Sequence, residues 1–186
     1  MKKYVMSFAA VAVMLLMASC GNKGTGTNVE GAKDDAKDEA KAEVAYEQFT
    51  VEKYGASFDL LKGMRRTDNP QTDNGGCWTL VPEDSNDFPI SAAVEFGVYE
   101  SMFGDYTEER IKKEFDEDIP QEAEKKLDLE KKEYTYSIPS DMISEYHRVI
   151  FNGNKSINIT VAYSPDWEKQ LGGEVRDHIL NSAKFN

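Results

Sequence analysis

Cysteine, histidine and clustered positive charge are scarce in this chain, and each scarcity excludes something. Cys20 and Cys77 are the only cysteines among 186 residues, and His147 and His178 the only histidines. Two thiols and two imidazoles, with no His-x-x-x-His spacing and no cysteine cluster, do not make a zinc site, so no metal is expected. Basic residues never run beyond a pair, and the formal charge is −12. That balance repels phosphate backbones and anionic lipid, which argues against nucleic acid as a partner. No apolar run reaches the roughly 20 residues that a membrane-spanning helix needs. A Gly-x-Ser-x-Gly elbow, a glycine-rich phosphate loop and calcium-loop spacing are all missing. No cofactor is expected.

The first twenty residues have their own logic. Lys2 and Lys3 precede an apolar stretch from Tyr4 to Met17, and the small Ala18 and Ser19 lead to Cys20. A stretch of about 14 residues is too short to span a bilayer and reads as a secretory leader over residues 1–19. Met17-Ala18-Ser19-Cys20 resembles the lipobox of bacterial lipoprotein precursors, with Met17 where Leu is more common. The resemblance implies cleavage before Cys20, a diacylglyceryl thioether on its sulfur and an acyl chain on the new amino group. Each buried methylene contributes about 0.8 kcal/mol, so three chains hold a protein firmly on a membrane. The neutral-to-basic Gly21-Asn22-Lys23-Gly24-Thr25 that follows points to an outer membrane, on its periplasmic face.

Residues 20–45 read as the lipidated cysteine and a flexible tether. Gly, Thr and Asn dominate its first half, and Ala, Lys, Asp and Glu its second. Nothing there can anchor a core. As a coil it reaches an r.m.s. distance of about 25–30 Å, enough to carry a domain clear of a lipid surface.

Residues 46–186 read as a single α+β domain. About 140 residues bury roughly two-thirds of their unfolded surface, enough for a core without staples. Phe49, Val51 and Tyr54 suggest one strand and Ser57 to Leu61 the next, with Gly55 between them. Cys77 to Val81 reads as a strand closed by Pro82. Ile90, Ala92, Val94, Phe96 and Val98 alternate with polar residues, which marks a half-buried strand. Asp105 or Thr107 can cap a helix carrying Ile111 and Phe115 on one face, with Glu108 and Glu109 in its first turn. After Pro120 a second helical piece is expected to Leu127 or Leu129. Strands return with Tyr134, Tyr136 and Ile138, then Ser144 to Asn152. Asn152-Gly153-Asn154 signals a hairpin into Ile157, Ile159, Val161 and Tyr163. Ser164-Pro165 opens a last helix, which Gly172-Gly173 breaks and Val175, Ile179 and Ser182 continue to the end. The expected architecture is an antiparallel sheet of about six to seven strands covered by helices.

This order resembles the PsbP-like and Mog-type Ran-binding domains. The resemblance runs from about Phe49 to the terminus and rests on Ser57-Phe58-Asp59-Leu60-Leu61-Lys62-Gly63 and on Ile159-Thr160-Val161-Ala162-Tyr163-Ser164 leading to Ile179-Leu180-Asn181-Ser182-Ala183-Lys184-Phe185. It implies an α/β/α sandwich acting as an accessory or protein-binding module, with no shared catalytic set to carry over.

The chemistry agrees with a module of that kind. Gln71, Cys77, His147 and Asn158 occur in an order superficially like that of papain-type peptidases, the basis of an alternative reading as a thiol-dependent hydrolase of envelope peptides. Such a nucleophile sits at a helix N-terminus, whereas Cys77 lies in a strand pattern and reads as a small buried hydrophobe. No catalytic residue is therefore assigned. The acids Glu114, Asp116, Glu117 and Asp118 read as a solvated face, and Arg65-Arg66 as an exposed pair. Tyr99, Phe103 and Tyr106 crowd around Gly104 just before a helix, and they are the candidate interaction surface. The reading is a non-enzymatic envelope lipoprotein that binds a protein partner, with small-ligand carriage between sheet and helix as a further alternative.

Overall fold

The structure is a computed structural model describing residues 44–67, 73–80 and 92–186. The leader, Cys20, nearly all of the tether, Gln71, and Pro82 and Ile90 lie outside the described residues. The fold is α+β. Among the described residues ten strands form two sheets, one of three strands and one of seven.

The smaller sheet begins with β1 (Tyr46–Val51) and β2 (Ala56–Leu61). A single 3₁₀ turn over Glu52–Tyr54 joins them. Gly55 closes it at φ 59°, in the left-handed region that glycine occupies without a Cβ penalty. Tyr54 therefore belongs to the turn and not to the first strand. The third strand is the two-residue β10 (Lys184–Phe185) at the end of the chain, which pairs with Ser57 and Ala56 of β2. The terminal helix expected to continue to the end stops short of it. Ser57 Oγ donates to Asn186 Oδ1 at 3.0 Å, and the Asn186 N–H donates to the Gly55 carbonyl at 2.6 Å, so backbone pairing takes over from helix.

The larger sheet comprises β3 (Arg65–Arg66), β4 (Gly75–Thr79), β5 (Ala92–Glu100), β6 (Glu124–Asp128), β7 (Glu133–Ile138), β8 (Ser144–Asn152) and β9 (Lys155–Tyr163). Their spatial order is β3-β4-β5-β9-β8-β7-β6, with every pairing antiparallel. After β5 the chain crosses through α1 (Glu108–Glu117) and returns as a four-strand meander whose last member, β9, docks against β5.

One expected helix is a strand. Residues from Pro120 to Leu129 contain good helix formers, yet Glu124–Asp128 is β6, pairing Lys125 with Tyr136 and Leu127 with Tyr134. Cross-strand pairing and the apolar partners of Leu127 outweigh propensity, which is a weak prior.

The large sheet carries a core on each face. On one side Val94, Phe96, Ile157, Ile159, Val161 and Tyr163 pack with the smaller sheet's Phe58 and Leu60 and with Leu171 and Ile179. Leu171 ends the short α2 (Glu168–Leu171), and Ile179 lies on α3 (Gly173–Ser182). On the other side α1 sets Ile111 and Phe115 against Tyr134, Val149 and Phe151. The large sheet thus lies between helices, an α/β/α sandwich. The Thr107 side chain caps α1, its Oγ1 accepting from the Arg110 N–H at 3.3 Å.

Candidate interaction surface

The segment joining β5 to α1 places its apolar side chains differently from one another. Met102 is 93% exposed, Phe103 87% and Tyr99 48%. Tyr106, half-buried, instead packs its ring 4.6 Å from Phe151 against the core beneath α1, with the Arg110 guanidinium 4.0 Å from the ring. Of the three aromatics singled out from sequence, Tyr99 and Phe103 face outward and Tyr106 anchors the segment. Sequence reasoning passed over Met102. Its signal was available: two large apolar residues side by side between a strand end and a helix cap have no core to enter.

This tip is firmly held. The Ser101 N–H donates to the Asn154 carbonyl at 2.7 Å, and the Tyr106 N–H to that of Gly153 at 2.8 Å, so the segment is laced to the β8–β9 hairpin. The Phe103 N–H donates to Ser101 Oγ at 3.0 Å. Arg110 donates to Ser101 Oγ at 2.8 Å and to the Gly104 carbonyl at 3.2 Å. Its Nε reaches Glu114 at 3.1 Å, an ion pair that holds Arg110 over the loop. Burial of Glu114 raises its pKa, and Arg110 opposes that rise.

The exposed acids around the tip are Glu100, Asp105, Glu108 and Glu109. Glu100 accepts from the Asn154 side chain at 3.1 Å. Among the described residues none of the four forms an ion pair within 4.0 Å. Arg110 pairs with Glu114, and Lys155, opposite Glu100 on the β5–β9 ladder, lies 5.7 Å from the Tyr54 ring.

Tyr99 begins this surface on the sheet itself. Its ring lies over Gly97, its hydroxyl 2.8 Å from where a Cβ on that glycine would sit. Burial against the sheet, and then the charge of Glu95, pushes the Tyr99 hydroxyl's pKa up.

Cys77 and His147 lie on the same sheet face and on one cross-strand row, Tyr136–His147–Thr160–Glu95–Cys77. Three strand spacings separate them, about 14 Å, which removes the thiol–imidazole pair from which the hydrolase alternative was drawn. Cys77 is also half-buried and not a core residue, because strand alternation sends its neighbour Trp78 inward in its place. His147 is instead bound locally. Its Nδ1 lies 2.9 Å from Thr160 Oγ1 and its Nε2 3.1 Å from Glu145 Oε2, while the Tyr136 ring stacks on it at 4.1 Å. Hydroxyl, imidazole and carboxylate in a line invite comparison with a hydrolytic triad. They sit in mid-strand, however, where ladder pairing occupies the backbone N–H groups that an oxyanion would need. Burial holds the His147 imidazole below its ordinary pKa, and Glu145 partly offsets that.

The other face has a groove of about 520 Å³ between α3 and the β6–β8 half of the sheet, lined by Glu124, Lys126, Thr135, Ser137, Tyr146 and Arg176 among others. Its arginines are already committed. Arg148 binds Glu133 at 2.5 Å and donates to the carbonyls of Leu180, Asn181 and Ala183, closing the C-terminal end of α3. Arg176 pairs with Asp177 and lies 4.1 Å over the Tyr146 ring. A wide polar groove with its arginines committed is a structural seam and a poor carrier pocket. Among the described residues no three His, Cys, Asp or Glu side chains gather where a metal could bind, and no helix is long and apolar enough to cross a membrane.

Fold and surface together define an α/β/α sandwich domain bearing a rigid apolar tip. No protein-family profile matches the chain, and no curated protein matches it. Solved structures are similar to it, two of them as follows. One is cyanobacterial PsbP (CyanoP) from Synechocystis sp. PCC 6803, at 15% identity and a TM-score of 0.49, covering 82% of this chain and 99% of that one. Another is the Ran-binding protein Mog1p of Saccharomyces cerevisiae, at 9% identity and a TM-score of 0.46, covering 76% of this chain and 96% of that one.

Proposed function

We propose that this protein is a non-enzymatic cell-envelope lipoprotein, anchored through acyl chains on Cys20 to the periplasmic face of an outer membrane, whose domain binds another envelope protein. The observation that carries the binding role is the Met102–Phe103 tip. Solitary exposed apolar residues are ordinary on protein surfaces. Two adjacent ones at 93% and 87% exposure, on a turn fixed by backbone and arginine hydrogen bonds, are a different matter. Ordering a residue's backbone costs about 1–2 kcal/mol, and here folding has already ordered it, so binding through this turn is not opposed by that loss.

Photocrosslinking in the intact envelope tests the reading. A benzophenone side chain at position 103 is expected to give one discrete protein adduct. The same group at position 142, where Met142 is 70% exposed away from this turn in sequence, is expected to give none. Equal, diffuse labelling from both positions, or no adduct at 103, overturns the binding role.

A further inference from the structure

We infer that the partner docking on this tip presents an apolar socket rimmed by lysine and arginine, an inference that rests on the binding role proposed above. The tip supplies Met102 and Phe103, a flexible thioether beside a flat ring, a pair suited to filling an apolar recess. Around it stand Glu100, Asp105, Glu108 and Glu109, all exposed. No cation lies in the segment itself; Arg110, in α1, is held inward by Glu114, Ser101 and the Tyr106 ring, and Lys155, opposite Glu100 on the β5–β9 ladder, is the one cation beside the four acids. Lys112 and Lys113, further along α1, are paired with Asp116 and Glu117. The field at the tip is therefore negative, in a chain of formal charge −12. An acidic partner surface would meet like charge at every rim position, and a neutral one would strip water from four carboxylates without replacing it. A basic rim satisfies them. The same carboxylates oppose insertion of the tip into anionic lipid.

Selection from a displayed random-peptide library on the full chain, with counter-selection on the full-length Phe103→Asp variant, tests this. Phe103 touches solvent over most of its surface, so the variant is expected to fold, and circular dichroism checks that it does. The expected pool carries Leu, Phe or Trp beside several Lys or Arg. Its affinity is expected to fall about 10-fold on raising NaCl from 0.05 to 0.5 M, and by a similar factor for Glu108→Gln/Glu109→Gln. A pool that depends on Phe103 yet is neutral or acidic and indifferent to salt overturns the basic partner and leaves the docking tip standing. A library with no Phe103-dependent peptide overturns both. Phe103-dependent binding to neutral phosphatidylcholine vesicles, with no peptide pool, reassigns the tip to a bilayer and also overturns the inference.

Discussion

At the scale of single residues, the sheet is most sensitive where backbone passes close to backbone. A Cβ on Gly75 would lie 1.9 Å from the Phe96 carbonyl oxygen and 2.8 Å from the Gly97 Cα, neither of which can move without breaking the β4–β5 ladder. Gly75→Ala is expected to cost about 3 kcal/mol or more in urea unfolding. Gly97→Ala meets only the far end of the Tyr99 side chain, which swings aside; the expected cost is about 1 kcal/mol, with faster nitration of Tyr99. His147 gives a pH signature of known sign. Burial lowers its folded-state pKa below the unfolded value of 6.5. Between the two values the unfolded chain holds a proton that the folded one lacks, so its contribution is complete above the unfolded pKa and is lost as pH falls through the folded one. Urea midpoints measured from about pH 5 to 7.5 are expected to rise with pH, and His147→Gln is expected to flatten that rise. An unchanged slope in the variant would remove His147 as its source.

At the scale of elements, α3 is held from two sides, by Ile179 beneath it and by Arg148 at its C-terminal end. Arg148 and Glu133 are both largely buried, with side chains 14% and 15% exposed. Arg148→Ala leaves Glu133 unpaired and strips three backbone carbonyls of a donor. It is expected to destabilise the domain by about 3–5 kcal/mol and to speed amide exchange in the last turn of α3. Arg148→Lys is expected to recover only part of this, since an ammonium cannot fork between a carboxylate and a helix end. The same elements show what a sequence discloses. Val94 to Val98 and Ile157 to Tyr163 alternate because one face of each strand is buried, so both strands were legible as written. Asp105 and Thr107 were both legible as possible caps, and Thr107 is the one whose hydroxyl takes the role. Strand β6 was not, because what makes Glu124–Asp128 extended is Tyr134 and Tyr136 on the next strand. Nor was β10, whose partner Ser57 lies at the other end of the domain. The candidate surface was half legible. Position between strand and helix marked the segment, but the partition of Tyr106 inward and Met102 outward depends on Phe151 and the β8–β9 hairpin, which only the fold brings near.

At the scale of the whole molecule, charge and anchor make a joint prediction. A domain of net negative charge has no electrostatic reason to adhere to anionic lipid, and a peripheral protein held by charge leaves the membrane when salt shortens the Debye length to about 3 Å at 1 M. The acyl anchor proposed at Cys20 would behave otherwise, because buried methylenes are indifferent to salt. In envelope fractions the protein is therefore expected to stay with membranes through a 1 M NaCl wash and to leave in detergent. Cells fed labelled palmitate are expected to mark the wild-type chain and not Cys20→Ser. Release by salt, or label retained by the serine variant, would detach the domain from the membrane surface and leave its apolar tip to work among soluble partners.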